Sequence, residues 1–304
     1  MINGIINVYK EQGYTSHDVV ARLRGIVGQR KIGHTGTLDP DAVGVLPVCL
    51  GNATGLCDMM TDKQKEYEAC MRLGVTTDTQ DMSGRVLSER AVTVSAGEAE
   101  AAVMRFVGGY EQLPPMYSAI KINGKKLYEL AREGKEVARS PRRVEIPYIR
   151  ILRMELPEIC FVVGCSKGTY IRALCADIGE LLGCGAAMSS LKRTRVGNFQ
   201  IEDAITLNRI EELTAAGRLE EHVIRPDSVF SQYNGAVVRP EACRLLLNGN
   251  RLYAGQLVFE RPEEPADGAL IRVYAPDPAG CGTFKAVYGF HAAEGCFKPF
   301  KMFL

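Results

Sequence analysis

Apolar and polar residues alternate with two different periods along the chain, and each period predicts one kind of element. After Ser16, apolar residues recur at spacings of three and four up to Gly28, which predicts a helix capped by Ser16 and stopped by Gly28. Alternation over 65–73 and the apolar run 159–165 predict strands. An apolar run covers 44–50. The patterns elsewhere predict helices over 98–107, 127–132 and 170–182. Strands and helices do not follow a regular strand–helix–strand rhythm, so we expect an α+β fold with a mixed sheet rather than a doubly wound one.

The pattern changes near residues 226–236. Beyond them, short β-like runs are separated by glycine and proline, as in 255–259, 270–274 and 283–290. Such spacing is typical of a small β barrel. We therefore expect a large domain over 1–230 and a small β-rich module over 231–304. Within the large domain, the stretch between Pro114 and Pro147 is rich in Lys, Arg, Gly and Tyr, which predicts an excursion from the core at about 121–150.

Composition and charge narrow the class of protein. An apolar content of 46% over 304 residues is enough for a sizeable core, and no apolar window is long enough to span a membrane. The first ten residues lack the basic and apolar regions of a signal peptide, so we expect a cytoplasmic protein. The net charge is only +1, but residues 119–153 hold ten Lys or Arg against four Asp or Glu. That stretch is either a solvated face or an electrostatic footprint for phosphates.

The cysteines and histidines do not form a metal pattern. Ten cysteines are scattered without a C-x-x-C pair, and several, such as Cys49 and Cys160, lie in apolar runs where a free thiol behaves as a small hydrophobe. No two of the four histidines have metal-ligand spacing. We expect reduced thiols and no zinc site.

One carboxylate stands in a segment that bends the backbone on both sides. In the run GHTGTLDP, over residues 33–40, Gly33 and Gly36 permit a positive φ or the close approach of a partner, and Pro40 pushes Asp39 towards an extended conformation. Asp-Pro is also a common turn dipeptide. The run alone therefore leaves open a structural turn and a rigidly held catalytic carboxylate.

Further segments, far apart in the chain, decide between these interpretations. They are KEY at 65–67, TDTQDMSG at 77–84, PMYSAIK at 115–121 and CSKGTYIRAL at 165–174. In this order and spacing, and together with GHTGTLDP, the chain resembles the TruB family of tRNA pseudouridine synthases, closely over about 1–200 and loosely beyond. The resemblance implies a pseudouridine synthase fold with a mixed, largely antiparallel sheet flanked by helices and a PUA-like C-terminal module.

The resemblance also implies an activity and its residues. Family members isomerise the T-loop uridine of tRNA, at the position conventionally numbered 55, to pseudouridine. Carried over to this chain, Asp39 is the catalytic aspartate, Tyr67 lies against the target base, and Tyr170 and Arg172 complete the catalytic group. The expected substrate-binding residues of the pocket and its surroundings are His34, Leu191 and Lys10. The reaction exchanges bonds within one nucleotide, so we expect no cofactor; we also expect no guide RNA, no membrane partner and a monomer.

Physical chemistry supports these roles. An apolar pocket built from Leu38, Tyr67 and Leu191 would raise the Asp39 pKa, and an adjacent guanidinium would offset the shift. We therefore predict an ion pair between Asp39 and Arg172. The uridine must be flipped out of its stack to reach the carboxylate. The basic excursion then serves as a thumb on the RNA phosphates, with these expected contacts: Lys121, Lys125, Lys126, Arg142 and Arg143.

Some positions depart from the family pattern. The family usually has Lys-Pro-x-Gly where this chain has Lys10-Glu11-Gln12-Gly13, which loosens the expected turn. Asp41 adds a like charge two residues after Asp39, so we expect it to point away. Asp78 and Asp81 are expected to shape their loop, and Asp177 to be a structural partner of the helix or of a nearby basic residue.

Several functions stay open at this point. The chain could be a tRNA-binding or tRNA-folding protein with secondary catalysis, a guide-RNA-dependent synthase, or a glycosylase that releases uracil. The sequence also leaves open whether the aspartate attacks the uracil ring or the ribose carbon.

Overall fold

The computed structural model describes residues 1–61, 63–122, 124–135, 137–277 and 282–304. Its strands are β1 (Gly4–Lys10), β2 (Ile32–His34), β3 (Val43–Leu50), β4 (Lys65–Leu73), β5 (Val75–Thr77), β6 (Val86–Glu89), β7 (Gly108–Gln112), β8 (Lys121–Ile122), β9 (Lys125–Lys126), β10 (Arg142–Ile146), β11 (Tyr148–Glu155), β12 (Glu158–Cys165), β13 (Ala186–Val196), β14 (Phe199–Gln200), β15 (Asn234–Val238), β16 (Leu252–Tyr253), β17 (Leu257–Phe259), β18 (Leu270–Ala275), β19 (Thr283–His291) and β20 (Cys296–Met302). Its helices are α1 (Ser16–Val27), α2 (Cys57–Thr61), α3 (Ala96–Met104), α4 (Leu127–Arg132), α5 (Ile171–Leu181), α6 (Leu207–Ala215) and α7 (Cys243–Leu247).

The central sheet is mixed and largely antiparallel, as predicted. Its strand order is β1-β3-β13-β4-β12-β11, with β2 beside β3 and β14 beside β13. Only the β3–β13 pair of this sheet runs parallel within the described residues. At that pair Gly44 has φ +107°, and a Cβ there would lie 2.2 Å from the carbonyl oxygen of Arg193. Glycine at 44 therefore lets β13 approach the strand that follows the Asp39 segment.

Two hydrophobic clusters hold the helices on this sheet. One joins α3 and α5 to β4, β12 and β13, and includes Tyr67, Phe161 and Leu174. The other joins α1 and α6 to β1 and β3, through residues such as Leu23 and Leu46. The Asp39 segment runs from β2 to β3, and Leu38 packs into the first cluster, so the segment is anchored at the junction of the two.

The last part of the chain forms a separate six-stranded sheet, in the order β16-β20-β19-β18-β15-β17, with its own core. This is the β-rich C-terminal part that the short apolar runs predict. A further cluster packs Phe284 and Phe303 of this part against Ile5 and Leu56 of the first. The C-terminal sheet therefore rests on the β1–β3 end of the central sheet.

The expected basic excursion is an insertion between two paired strands. Strands β7 and β10 pair antiparallel, so the chain between them leaves and returns at the same place. It carries the β8–β9 hairpin and the helix α4, which has the predicted bounds. Its last predicted contacts, Arg142 and Arg143, lie in β10, at the base of the insertion.

Two expectations need correction. The helix α1 is capped by Thr15, whose side chain accepts a hydrogen bond from the Asp18 amide, and not by Ser16. Cys70 and Cys160 face each other on β4 and β12 and form a disulfide, so the expectation that all thiols are reduced is wrong. Cys281 lies outside the described residues. None of the helices in the described ranges has the length and apolar character to cross a membrane.

Candidate active site

The segment that carries Asp39 is fixed by hydrogen bonds on both sides. Ser16, buried at the start of α1, accepts a hydrogen bond from the Leu38 amide at 2.9 Å and donates one to the Leu38 carbonyl at 3.3 Å. The amide of Gly13 donates to the carbonyl of Pro40 at 3.0 Å. The Asp39 side chain is left 41% exposed, so a held backbone presents it to solvent.

Lys10 braces the same segment from behind. Its fully buried ammonium donates to the carbonyl oxygens of Pro40 at 3.0 Å, Ala42 at 2.6 Å and Glu11 at 3.1 Å. Burial lowers the Lys10 pKa to about 8, against the attraction of the Asp39 and Asp41 carboxylates. The expected contact of Lys10 with the substrate is therefore not what this geometry favours, since its side chain is enclosed by the loop.

The predicted ion pair between Asp39 and Arg172 is present. Arg172, in the first turn of α5, places Nε 3.1 Å from Oδ2 and Nη2 3.3 Å from Oδ1 of Asp39. This two-point contact fixes the plane of the carboxylate as well as its position.

The same guanidinium joins the other motif segments. It donates to the carbonyl of Tyr117 at 2.9 Å and to that of Thr79 at 3.1 Å, and it lies 3.3 Å from Asp81. Segments 33–40, 77–84, 115–121 and 165–174 therefore meet at the single buried side chain of Arg172.

Asp39 remains harder to ionise than an ordinary aspartate. Burial raises its pKa, Arg172 lowers it, and Asp81 raises it again; the net direction is upward. The guanidinium thus offsets desolvation only in part, because it also serves Asp81. Asp41 is exposed, as expected, and its charge adds a smaller upward push on the Asp39 pKa.

The loop that carries Asp81 is shaped as predicted, with one contact that the sequence did not reveal. Oδ1 of Asp81 accepts hydrogen bonds from the amide and hydroxyl of Ser83 and from the hydroxyl of Thr79. Asp78 accepts from the Arg85 amide at 2.9 Å. The contact of Asp81 with Arg172 connects this loop to Asp39 through the shared guanidinium.

The other residues predicted for the site lie on separate parts of the chain. Tyr67 on β4, Leu191 on β13 and Leu38 belong to one buried apolar cluster. Burial raises the Tyr67 pKa, so its phenol stays protonated at neutral pH. Tyr170 is half-buried at the N-terminus of α5, and burial raises its pKa too.

A buried glutamine that sequence reasoning missed holds Tyr170. The Gln112 amide accepts from the Tyr170 backbone amide at 2.8 Å and donates to its carbonyl at 3.0 Å. Gln112 ends β7, where nothing in the local sequence marks it. The role of Gln112 is visible only in the three-dimensional structure, where its side-chain amide bonds the backbone of Tyr170 as a neighbouring strand would.

His34 ends β2 beside the site. Burial lowers its pKa, and the neighbouring His17 and Arg193 lower it further. Its ring is edge-on to that of His17, with 6.4 Å between centroids, and its Nδ1 accepts from the Gly36 amide at 3.3 Å. A neutral, half-buried ring of this kind suits contact with a nucleotide.

The expected thumb residues lie on the insertion and its base. Lys121, Lys125, Arg142 and Arg143 are exposed. Lys125 makes a 3.4 Å ion pair with Glu133 on the same hairpin and helix unit. Lys126 is half-buried, with its ammonium 5.3 Å from the centre of the Tyr128 ring. The positive charge of Arg142, at the base of the insertion, partly offsets the burial that raises the Tyr170 pKa.

Two more residues stand apart from the predictions. Arg193 is 1% exposed and donates to carbonyls of the Asp39 segment and of β3. Asp177 is half-buried on α5, and burial raises its pKa to about 6. The described residues give Asp177 no ion pair, so the expected basic partner is not found.

The chain was compared with known proteins. The model of the "TruB family pseudouridylate synthase (N terminal domain)" matches residues 24–171, and that of the "tRNA pseudouridylate synthase B C-terminal domain" matches residues 172–230. A tRNA pseudouridine synthase B of Lachnoclostridium phytofermentans is 50% identical and covers 100% of both chains. One of Alkaliphilus oremlandii is 48% identical over 84% of this chain and 85% of its own.

Solved structures agree with the family match. A Cbf5-Nop10-Gar1 complex contains a chain with a TM-score of 0.72 at 27% identity, covering 99% of this chain and 85% of that one. An H/ACA RNP bound to a substrate RNA with 2′-deoxyuridine gives 0.71 at 25% identity, with 99% and 85% coverage. From the family models and the full-length relatives, this chain belongs to the TruB family of pseudouridylate synthases.

Proposed function

We propose that the chain isomerises the T-loop uridine of tRNA to pseudouridine and acts without a guide RNA. The observation that carries this proposal is the two-point contact between Arg172 and the exposed carboxylate of Asp39, in a chain whose full-length relatives are named tRNA pseudouridine synthase B. The carboxylate is accessible, oriented and next to an apolar wall, which is the arrangement that nucleophilic catalysis on a flipped base requires.

The reaction breaks the bond between N1 of uracil and C1′ of ribose and forms a bond between C5 and C1′. Asp39 supplies the nucleophile, at the uracil ring or at C1′, and so holds one fragment while the base turns. Arg172 favours the ionised carboxylate against desolvation and holds it in one plane. The base rests against Tyr67. In the second half of the reaction the bond to Asp39 breaks, the C5 proton is lost after C5 has bonded to C1′, and N1 takes up a proton. No redox change occurs.

RNA binding is assigned to the basic insertion. Lys121, Lys125, Lys126, Arg142 and Arg143 supply phosphate contacts, and His34 contacts the nucleotides that surround the flipped base. The proposed domains are 1–230 for catalysis and 231–304 for a PUA-like RNA-binding module. A monomer that works on tRNA in the cytoplasm fits this assignment.

Two alternative functions predict different results in an activity assay. One structural neighbour named above is an H/ACA RNP bound to a substrate RNA, which motivates a test of whether this chain needs a further RNA as a guide. A tRNA-folding protein with secondary catalysis would bind the T-arm with little conversion.

A single assay separates these possibilities. The purified protein is incubated with an unmodified T-arm hairpin that carries tritium on C5 of each uridine, and both tritium release and nucleoside composition are measured. We expect stoichiometric formation of pseudouridine without an added guide RNA. Strict dependence on a guide RNA would sink the stand-alone proposal, and free uracil would indicate a glycosylase instead.

A further inference from the structure

Arg193 is the largest side chain among the fully buried ones in the described part of the chain, and it lies directly beneath the Asp39 segment. It belongs to β13, two residues after Leu191, and is 1% exposed. Within the described residues, Arg193 forms no salt bridge with a carboxylate, although a buried cation is normally paired with one. The groups to which Arg193 donates hydrogen bonds therefore indicate its role in the fold.

These partners are backbone carbonyls on both sides of Asp39. Nη2 donates to the carbonyl of Gly36 at 3.1 Å, and Nη1 donates more weakly to that of Thr37 at 3.4 Å. Nε donates to the carbonyl of Val45 at 2.7 Å. One rigid planar group thus connects the chain before Asp39 with the chain after it.

The backbone of the same residue reinforces this connection. Arg193 pairs with Gly44 in the parallel register of β13 and β3, where the carbonyl of Arg193 leaves no room for a Cβ on residue 44. On its other side, Arg193 pairs with Tyr67 on β4. The charge of Arg193 also opposes the burial that raises the Tyr67 pKa.

We propose that Arg193 is a positioning residue for pseudouridine formation: its guanidinium holds the Asp39 segment and its backbone pairs with Tyr67, so that it sets the distance between the two without touching the RNA. This inference rests on the proposed function. Lys10 secures the carbonyls at the tip of the segment, and Arg193 secures those at its two ends. Arg172 then orients a carboxylate whose backbone is already fixed.

The planar shape of the Arg193 guanidinium allows it to connect both ends of the segment. Its donors point in different directions and reach three carbonyls, whereas a lysine ammonium is a single centre on a flexible stem. Arg193→Lys keeps the charge but cannot hold both ends of the segment. Arg193→Gln removes the charge and most of the donors.

The test compares single-turnover rate and RNA affinity in the full-length protein. Native protein, R193K, R193Q and the control R195Q are given the tritiated T-arm hairpin, and thermal midpoints and Kd values are measured in parallel. Arg195 is on the same strand, but its side chain contacts Tyr148 and Glu66 instead of the Asp39 segment. R195Q should therefore react at the native rate.

For R193Q we expect a rate about 100-fold below native, the scale of loss for a displacement of about 1 Å, with a Kd within about 3-fold of native. R193K should recover part of that loss. R193K at the native rate overturns the inference, as do rate and affinity that fall together. Loss of folding in both variants would assign Arg193 a purely structural role and also overturns it. A native protein that forms no pseudouridine overturns the proposed function itself.

Discussion

Asp39 and Arg172 stand 133 residues apart in sequence, and the structure joins them through two contacts of 3.1 and 3.3 Å. The carboxylate is 41% exposed whereas the side chain of Arg172 is 8% exposed. The cation is thus part of the protein interior, and the anion is open to solvent. Because Arg172 also contacts Asp81 and two carbonyls, it stays anchored when Asp39 engages another partner.

The first prediction concerns the nucleophile. Asp39→Asn should lower the single-turnover rate by about 10⁴-fold or more, the scale of loss when a nucleophile is removed. The Kd for the T-arm hairpin should stay near native, since the backbone anchors of the segment are unchanged. Asp41→Asn, two residues further on and exposed, is the matched control and should remain active. Native-like conversion by Asp39→Asn would remove Asp39 from the mechanism.

The same substitution should not destabilise the protein at neutral pH. The folded state raises the Asp39 pKa above 3.8, so it favours the neutral form, and ionised Asp39 costs stability above the folded pKa. Asparagine mimics the neutral form. The thermal midpoint of Asp39→Asn should therefore equal or exceed that of the native protein at pH 7.5, and the difference should vanish as the pH falls to 3.8 and below. A midpoint well below native at pH 7.5 would contradict the direction of this pKa shift.

The pH–rate profile tests the part played by Asp81. Activity requires ionised Asp39, so the rate should fall on the acid side at a pH above 3.8. Asp81 raises the Asp39 pKa and shares Arg172, so Asp81→Asn should move this acid limb to lower pH. At neutral pH the rate should drop about 10-fold, because Arg172 loses one of its anchors.

Asp78→Asn is the control for that shift. Asp78 lies in the same loop and accepts a hydrogen bond from the Arg85 amide, without contact to Arg172 among the described interactions. The acid limb of the pH–rate profile of Asp78→Asn should coincide with that of the native protein. An unmoved limb in Asp81→Asn would show that Asp81 has no electrostatic influence on Asp39.

Lys10 distinguishes a brace from a substrate contact. As a buried brace, Lys10→Met should lower the rate about 10-fold and leave the salt dependence of RNA binding unchanged. As a phosphate contact, it would instead weaken binding and reduce the salt slope by about 1. The exposed Lys31→Met is the control. A reduced salt slope in Lys10→Met but not in Lys31→Met would restore Lys10 to the substrate side.

The pH dependence of stability provides a second measurement on Lys10. Its folded pKa of about 8 lies below its ordinary value of 10.5, so the folded state releases the proton first. Native stability relative to Lys10→Met should therefore rise between pH 8 and 10.5. The measurement is the difference in thermal midpoint across that window, and a difference that stays constant would contradict the assignment.

Local patterns predicted elements better than they predicted contacts between distant strands. The strand over 65–73 and the helix over 127–132 have the predicted bounds because periodicity and flanking turn residues are local signals. The disulfide of Cys70 with Cys160 depends on the register of β4 with β12, across 90 residues, which periodicity does not report. The apolar run around Cys160 indicates that the residue is buried but not which cysteine it faces.

The site was predictable where electrostatics and family motifs coincide. Desolvated Asp39 needs a cation, and the motif that supplies Arg172 was in the sequence, so their pairing could be expected. Arg193 could not, because an arginine in a strand normally has a solvated head group. Only the parallel approach of β13 to β3 at Gly44 encloses it. The loop contacts of Asp81 could be expected, but its contact with Arg172 could not, because local hydrogen bonds account for only one of its two oxygens.

The basic insertion gives the last prediction, on RNA affinity. Arg142 is exposed at the base of the insertion, and its charge reaches Tyr170, so it should meet a phosphate near the flipped nucleotide. Arg142→Gln should raise the Kd and reduce the slope of log K against log salt by about 1, with the single-turnover rate at saturating RNA unchanged. Lys125→Gln should have a smaller effect, because Lys125 must first give up its ion pair with Glu133.

Arg150 is the matched control for Arg142. It belongs to the same basic stretch and is exposed, but it lies on β11 of the central sheet, and its charge acts on Glu66. Glu66 and Tyr67 are successive residues of β4, so they point to opposite faces of the sheet, and Arg150 is on the side away from the pocket. Arg150→Gln should leave the salt slope unchanged. Equal slopes for the Arg142 and Arg150 variants would mean that the basic stretch acts through its overall charge and not through contacts at the base of the insertion.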